Sequence, residues 1–425
     1  MQKTYVIFTG TIAGMGGAQL YVSNKASYLG SRGWQVRIFS DRDAPILIPV
    51  LEAHRDGIFP ELHCWPQLLR RRDVERTLET LLGYIGSDPG EILVESNTPH
   101  MSAWAELTAQ KLGAKHFLFL LDEQYPMDPG FRPYFQEKFR RKELAVINRR
   151  ALGLLFPGQE IPDPQRYLLS AAGHNAVADV RNPRLEAIPF EAHDDTVCCL
   201  GRLNKNYIPA AVEAMEQYAS RHPERTLGCL FIGGEPEDAP RDTAGWIRQR
   251  LEKYPNVRLY LPGFVYPIPE SLFERLDLGI ASAGSARILA HAGVPTVSMD
   301  ASDGQPIGIL GYTTGQTLCR DGETRHTLAE LMEQILLKGA LKAMPCAPVS
   351  MPGCAEAYEK HEEFLAAMPE DNRFFDVLSL RPTRRKNRIK RGLLGLLGLR
   401  GYLLWRKTAG KRRIHSDKPA VSRKE

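Results

Sequence analysis

Short apolar runs alternate with amphipathic stretches along most of the chain. The run Tyr5-Val6-Ile7-Phe8, inside Thr4–Thr9, has the unbroken apolar character of a strand buried on both faces of a parallel sheet. A glycine-rich loop follows, Gly10-Thr11-Ile12-Ala13-Gly14-Met15-Gly16-Gly17, then a helix predicted from about Ala18 to Ser31. Gly33 ends that helix and Trp34–Phe39 gives the next strand, which completes a βαβ unit. Strand signals recur at Glu91–Glu95 and Lys115–Leu121, with a helix at about Met101–Leu112 between them. Ala145–Asn148 and Leu152–Phe156 read as further short strands. Pro and polar residues gather at Leu185–Thr196, where a crossover between domains is expected.

The alternation then restarts. Val197–Leu200 is a strand, Pro209–Ser220 a helix, Leu227–Gly233 a strand with its turn, and Thr243–Tyr254 a helix. Leu278–Ala281 is a strand, followed by a turn of small residues (Ser282, Gly284, Ser285) and a helix over Ala286–Ala292. Gly293 stops that helix, Pro295 bars its return, and Thr296–Met299 forms the next strand. A small-residue turn opening a helix offers backbone N–H groups at the positive end of the helix dipole, an arrangement suited to phosphate. Helices at about Thr327–Lys338 and Cys354–Met368 close the pattern. Alternating strands and helices in two blocks predict an α/β chain of 425 residues with two domains of ordinary size.

Composition adds three constraints. The chain is 43% hydrophobic and 25% charged, as a globular protein should be. Its seven cysteines are scattered and none forms a Cys-x-x-Cys pair, so reduced thiols are expected rather than a disulfide framework. The chain enters its first strand without a basic leader and a long apolar run, so no signal peptide is expected. The net charge of +5 conceals an asymmetry: 16 of the 55 basic residues and 2 of the 50 acidic ones lie in Arg381–Glu425. That segment carries +14 and the remainder −9.

Loops at the carboxyl ends of strands line the crevice of a doubly wound sheet. Asp122, Glu123 and His100 sit in such loops and are the acid/base candidates of the first half, each weighed against ordinary loop polarity. Gly14-Met15-Gly16 with Asp41 resembles a dinucleotide fingerprint, but Gln19 stands where its third glycine belongs. Asp41-Arg42-Asp43 has the form of a metal-binding triplet, yet a solvated loop at a strand end is the simpler reading. No cluster in the sequence has convincing metal spacing.

Several stretches resemble GT-B glycosyltransferases, in particular the glycosyltransferase family 4-like group. Gly293-Val294-Pro295-Thr296-Val297 with Asp300 is similar to that group's "GVPVV" ending and acidic residue. Gly16-Gly17-Ala18-Gln19 is similar to its "GGAE" loop, and Gly201-Arg202-Leu203 with Lys205 to its "GRL…KG" loop. Leu227–Gly233 followed by Asn256–Val265 is similar to its "VGDGP…NVRFLGFV" order, and Asn182-Pro183 to the turn before its second domain. The group's Glu-x7-Glu motif is not retained; its two positions fall on Ile280 and Ile288.

The resemblance implies two Rossmann-like domains facing a cleft, with boundaries at 1–190 and 191–345. Helices at 346–380 would cross back to the first domain, and 381–425 would form a basic amphipathic tail. It implies transfer of a sugar from a nucleotide-sugar to a glycan or lipid-linked acceptor in bacterial surface polysaccharide synthesis. Retention of anomeric configuration is implied, with no metal and no cofactor beyond the donor. Arg202 and Lys205 would bind the donor diphosphate, a guanidinium forking onto phosphate oxygens and an ammonium adding a point charge. Gly233 and the loop Gly263-Phe264-Val265 would lie along the nucleotide, the latter at its base. Ser282, Gly284, Ser285, Ala286 and Arg287 would meet the phosphates, and Gly16 and Gly17 would lie beside the reacting groups. Two alternatives stand beside this: a non-catalytic nucleotide- or glycan-binding partner of a polysaccharide assembly, and more distantly an NAD-dependent oxidoreductase.

The basic segment runs from Arg384-Arg385-Lys386 through Gly392–Trp405 (GLLGLLGLRGYLLW) to further Lys and Arg. The leucine stretch is too short to span a bilayer. Read as one helix, it puts Leu393, Leu396, Leu397, Leu403 and Leu404 on one side. Its glycines cost about 1 kcal/mol each relative to Ala. The expectation is a peripheral cytoplasmic protein at the inner face of the membrane, touching anionic lipid through residues 384–413. No aromatic-interleaved platform for nucleic acid accompanies the charge.

Overall fold

The computed structural model describes residues 3–86, 90–121, 128–235, 242–320, 326–337, 339, 341, 344–351 and 353–416, with side chains as far as Trp405. The chain folds as two compact units. The first takes residues up to Ala13, Tyr21–Ala171 and the chain from Cys354 on; the second takes Gly14–Leu20 and Ala172–Gly353. The first unit's main stretch thus ends at Ala171, and the end of the glycine loop with the start of the first helix, Gly14–Leu20, goes with the second unit.

The first unit is built on a parallel sheet of β1 (Lys3–Phe8), β2 (Trp34–Phe39), β3 (Glu91–Ser96), β4 (Lys115–Leu120) and β5 (Leu144–Val146), ordered β2-β1-β3-β4-β5. Phe8 stands in register with Phe39 on one side and Ser96 on the other. The apolar runs become strands because helices cover both faces: Val6, Phe8, Val94, Leu118 and Leu120 lie in one core with Trp104, Phe131 and Tyr134. Strand order reverses between β1 and β3, which makes their carboxyl ends the switch point of this sheet.

One strand expectation fails here. Leu152–Phe156 belongs to a helix, Arg149–Leu155, because the Asn148 side chain accepts from the Ala151 N–H at 3.0 Å and caps it. The helices Arg71–Ile85 and Arg132–Arg140 also went unforeseen.

The second unit's main sheet contains β7 (Asp195–Leu200), β8 (Leu227–Ile232), β9 (Val257–Gly263), β11 (Leu278–Ala281), β12 (Thr296–Met299) and β13 (Pro306–Ile309). Its order is β13-β12-β11-β7-β8-β9, parallel except for β13. A small pair, β6 (Val177–Ala178) with β10 (Ile268–Pro269), lies apart from it. The switch point falls between β7 and β11.

The chain from Cys354 packs on the first unit through buried polar groups. From the helix Cys354–Ala366, the Tyr358 hydroxyl donates to the Ala171 carbonyl at 3.2 Å. His361 bonds the Ser170 carbonyl at 2.9 Å and lies 3.1 Å from the Lys25 ammonium. Lys25 in turn pairs with Glu95, which also accepts from the hydroxyls of Tyr5 and Tyr21.

The basic segment is no free tail as far as it is described. The helix Arg385–Ser416 is broken at Gly398, whose φ of 67° lies in the left-handed region. Asp128 accepts from the Thr383 and Arg384 N–H groups, the Thr383 hydroxyl and the Asn387 amide, and so anchors the helix start. Arg70 donates to the carbonyls of Gly395 and Leu396, and Asp73 accepts from the Leu399 N–H, so both sides of the break are capped. Because Gly398 shifts the helical phase, the expected leucine stripe splits. Leu394, Leu399 and Tyr402 are buried in the first unit's core with Leu393 and Leu403 against them, while Leu396, Leu397 and Leu404 face outward.

Candidate functional site

In the second unit, the loops leaving β7, β8 and β9 are zipped together by backbone. The Gly201 N–H bonds the Ile232 carbonyl at 2.9 Å, Leu203 that of Gly234 at 3.2 Å, and Gly233 that of Gly263 at 2.9 Å. A Cβ on Gly233 would stand 2.0 Å from the Gly201 carbonyl oxygen, and its φ is 147°, so this crossing requires glycine. The expected residues Gly233 and Gly263 are therefore frame. Phe264 is frame too, its ring lying over Gly234, where a Cβ would come within 2.2 Å. Val265 is buried in the core; its carbonyl holds the Asn175 amide at 2.9 Å.

The frame leaves four backbone segments around one place at the switch point. Arg202 follows β7, and a Cβ on Gly16 would lie 3.8 Å from its guanidinium. A Cβ on Gly17 would lie 3.8 Å from the Gly173 carbonyl, and one on Gly284 would lie 3.5 Å from the His174 side chain. Gly16, Gly17, Arg202, Gly173–His174 and Gly284 thus converge, with Lys205 one short turn beyond Arg202 and half-buried. Asn206 fixes the neighbouring loop by donating to the Ala301 and Ser302 carbonyls. Asp300 organises that loop rather than facing a ligand: its carboxylate accepts from Ser302 and from the Arg320 N–H. Burial alone would raise its pKa, and those hydrogen bonds outweigh it and lower it.

The helix at this place runs Ala283–His291, three residues earlier than its pattern suggested. Ser282 makes no side-chain cap, and the Ala283 N–H is taken by the Thr317 carbonyl at 2.5 Å. The next first-turn N–H groups have no intrahelical acceptor. Ala283 adopts φ 53°, a left-handed value unusual for alanine, so the turn is held in a strained form of the kind found at binding sites. Ser285 in the first turn and Arg287 at the start of the second are part-exposed, and Arg287 has no hydrogen-bond or ion-pair partner among the described residues. Ala286 is fully buried and offers only its N–H. The positions of the Glu-x7-Glu motif, Ile280 and Ile288, are both core residues here, so no carboxylate approaches from them.

At the switch point of the first unit a different chemistry assembles. One oxygen of Asp41, at the end of β2, accepts from His100 Nε2 and His63 Nδ1, each at 3.0 Å. The two rings meet edge to face at 6.4 Å. Burial would raise the Asp41 pKa; the hydrogen bonds from His100 and His63 overcome it and hold the carboxyl well below its ordinary range. His100 Nδ1 has no hydrogen-bond partner among the described residues. The ring is a quarter exposed, and Gly10 beside it adds no side chain to cover it. Asp41 is thus engaged by two imidazoles and is not open to a ribose, against the dinucleotide reading. Asp122 and Glu123 lie outside the described residues. His63 and His174 carry no sequence signal: each is a lone histidine in irregular chain until the fold gives it neighbours.

No family model matches the sequence, and no curated protein matches it. Among solved structures, the chain is similar to a glycosyltransferase from Rickettsia africae, with a TM-score of 0.54 at 13% identity over 92% of this chain and 99% of that one. It is also similar to the Anabaena protein HepE in complex with UDP, with a TM-score of 0.51 at 14% identity, covering 86% of this chain and 96% of that one. A second HepE structure, with UDP and glucose, gives 0.50 at 13% identity, over 86% of this chain and 100% of that one. The chain therefore has the GT-B fold, two Rossmann-like domains.

Proposed function

We propose that the chain transfers a sugar from a nucleotide-sugar to a glycan or lipid-linked acceptor, in the assembly of a bacterial surface polysaccharide such as capsule or lipopolysaccharide. The observation that carries this reading is the convergence of Arg202, the Gly16–Gly17 loop and the uncapped helix start at Ser282–Ser285 in one unit. Sugar transfer breaks the bond between the anomeric carbon and the diphosphate, and the electron pair leaves with the nucleoside diphosphate. That growing charge is met by the Arg202 and Lys205 cations, the positive helix end and the Arg287 side chain, without a metal. HepE, which shares the fold, holds UDP in its crystals. By analogy the nucleotide here lies along Gly233 and Gly263, with its base at the Phe264–Val265 backbone.

The acceptor's hydroxyl proton goes to His100 Nδ1. Asp41 fixes the tautomer by taking the Nε2 proton in a hydrogen bond and stabilises the imidazolium that forms. A base acting on the acceptor leads to inversion at the anomeric carbon, whereas the family resemblance implies retention; the product's configuration separates the two. One observation favours a second reading, a non-catalytic nucleotide- or glycan-binding partner: Ile280 and Ile288 put apolar core where the resembling group has its carboxylates.

The test is a thermal-shift screen of nucleotides and nucleotide-sugars, followed by product detection with the best binder. Stabilisation by a nucleoside diphosphate and turnover of its sugar support transfer. Stabilisation without turnover of any donor supports the binding partner.

A further inference from the structure

The C-terminal helix satisfies its folding needs on one side and leaves an apolar face on the other. Leu394, Leu399 and Tyr402 supply its packing on the first unit, and Asp128, Arg70 and Asp73 supply its caps. None of those contacts uses the side chains of Ile389, Leu396 or Leu397, and Leu404 and Trp405, the latter with its ring 5.8 Å from that of Tyr402, stay largely exposed. Yet Leu396 is 76% exposed and Leu404 67%, the two most exposed large apolar side chains among the described residues. The others on the surface, such as Leu47, Val50 and Val177, are scattered. Isolated exposed leucines need no explanation, but a row of them on one helix does.

The charge around that row identifies its partner. Arg385, Lys386, Arg388 and Arg391 are exposed on the turns before it, and Arg400 between its halves. The segment Arg381–Glu425 carries a net +14. Among the described residues no helix is long and apolar enough to cross a membrane. A helix that buries apolar side chains at acyl-chain depth and sets basic ones at headgroup level has the chemistry of an interfacial element. We infer that the outer face of this broken helix, Ile389 through Trp405, lies on an anionic lipid surface. Leu396, Leu397 and Leu404 enter the bilayer boundary, Trp405 sits at the headgroups, and the flanking basic residues pair with lipid phosphates. The clamps at Asp128, Arg70 and Asp73 fix this face relative to the first unit, so docking orients that unit on the membrane rather than tethering it loosely. The inference does not depend on sugar transfer.

The experiment is co-sedimentation of the full chain with vesicles of phosphatidylcholine alone or mixed with phosphatidylglycerol, at low salt. Binding should be about tenfold or more tighter to the anionic vesicles. The variant Leu396→Ser/Leu397→Ser/Leu404→Ser should lose about tenfold or more of that binding with its melting temperature unchanged. Arg385→Glu/Lys386→Glu should lose the preference for anionic lipid. Emission from Trp405, isolated by comparison with Trp405→Phe, should shift to the blue on vesicle addition. Wild-type indifference to phosphatidylglycerol overturns the inference. So does a triple variant that binds vesicles as wild type does, and so does wild-type self-association that the triple variant abolishes, which would give the face to a second copy.

Discussion

The two units present their sheets' switch points with different materials. The second unit offers backbone: glycines at chain crossings, an uncapped helix start and two cationic side chains on one short loop. The first offers titratable side chains: His63 and His100 sharing Asp41. Fixed dipoles and permanent cations suit a group whose charge grows while it stays bound, such as a leaving diphosphate. Imidazoles on a carboxylate suit a group that must give up a proton. The contrast continues inside. The first unit buries both partners of its ion pairs, in Lys25–Glu95–His361 and Glu106–His116–Lys138, whereas the second pairs its buried carboxylates Asp195 and Glu216 with part-exposed Arg225 and Arg250 and buries the thiols of Cys198, Cys199 and Cys229, whose pKa values burial pushes upward. One fold type, used twice, thus builds its two switch points from different materials, backbone in one and side chains in the other.

The comparison breaks most sharply at the helix start of the second unit. Ser285→Trp fills the turn where four segments converge, so nucleoside diphosphate binding should vanish while the melting temperature of the free protein stays close to wild type. Titration calorimetry checks the first point and a thermal melt the second. Retained affinity would move the diphosphate away from this turn.

The first unit should respond in turnover and not in donor affinity. His100→Ala should lower turnover by about 10²–10⁴-fold, the ordinary span of general-base catalysis, with nucleotide affinity unchanged. Asp41→Asn should fall in the same direction by less, because it disturbs the tautomer without removing the base. Inversion at the anomeric carbon, read by NMR of the first-formed product, is the matching stereochemical outcome. Full turnover in His100→Ala would leave the proton to another group, and the side-chain half of the comparison would fail.

Arg202→Ala and Lys205→Ala act the other way round. Each should weaken nucleoside diphosphate binding by about 1.5–3 kcal/mol, the scale of charge-assisted hydrogen bonds. If both leave affinity untouched, the cations are surface charge and the backbone alone must hold the phosphates.

These residues differ in how legible they were. The sheets could be read directly, because buried parallel strands are unbroken apolar runs, and the place of Arg202 at a strand's carboxyl end could be read because its loop follows such a run. The Ser282–Ser285 turn was visible as small residues before a helix, though the helix starts at Ala283, a residue whose left-handed φ no propensity suggests. Leu152–Phe156 looked like a strand because its apolar run is short; the Asn148 cap decides it. The leucine stripe was misphased because one glycine, Gly398, turns left-handed, and a sequence carries no mark of which glycine will. His63, His174, Arg70 and Asp128 were illegible for one reason: their partners are distant in sequence, and only the fold brings them together.

The smallest effect tests the buried half of the comparison, and its sign is fixed. His361 is buried, and burial together with the nearby Lys25 ammonium pushes its pKa down to about 2. Its folded form is therefore neutral, while the unfolded chain takes up a proton from about pH 6.5 downward. Stability from His361 is present above that pH and declines below it, by about 2 kcal/mol at pH 5. Burial pushes His116 the same way, with the neighbouring Lys138 adding to it. The buried carboxylates act only at lower pH. Burial would raise Glu106, but Lys138 and His116 hold it at about 2; burial would raise Asp128, but hydrogen bonds from Thr383 and Asn387 hold it at about 2. Their contribution is present above about pH 4 and is lost between there and about pH 2. Hydrogen exchange compared at pH 6.5 and pH 5 should therefore show protection falling in β3 and β4 more than in β7 and β8. His361→Gln, which cannot titrate, should reduce that difference and leave the share that His116 contributes. Equal loss in both sheets, or an unchanged difference in the variant, would mean that buried charge is not what sets the first unit apart.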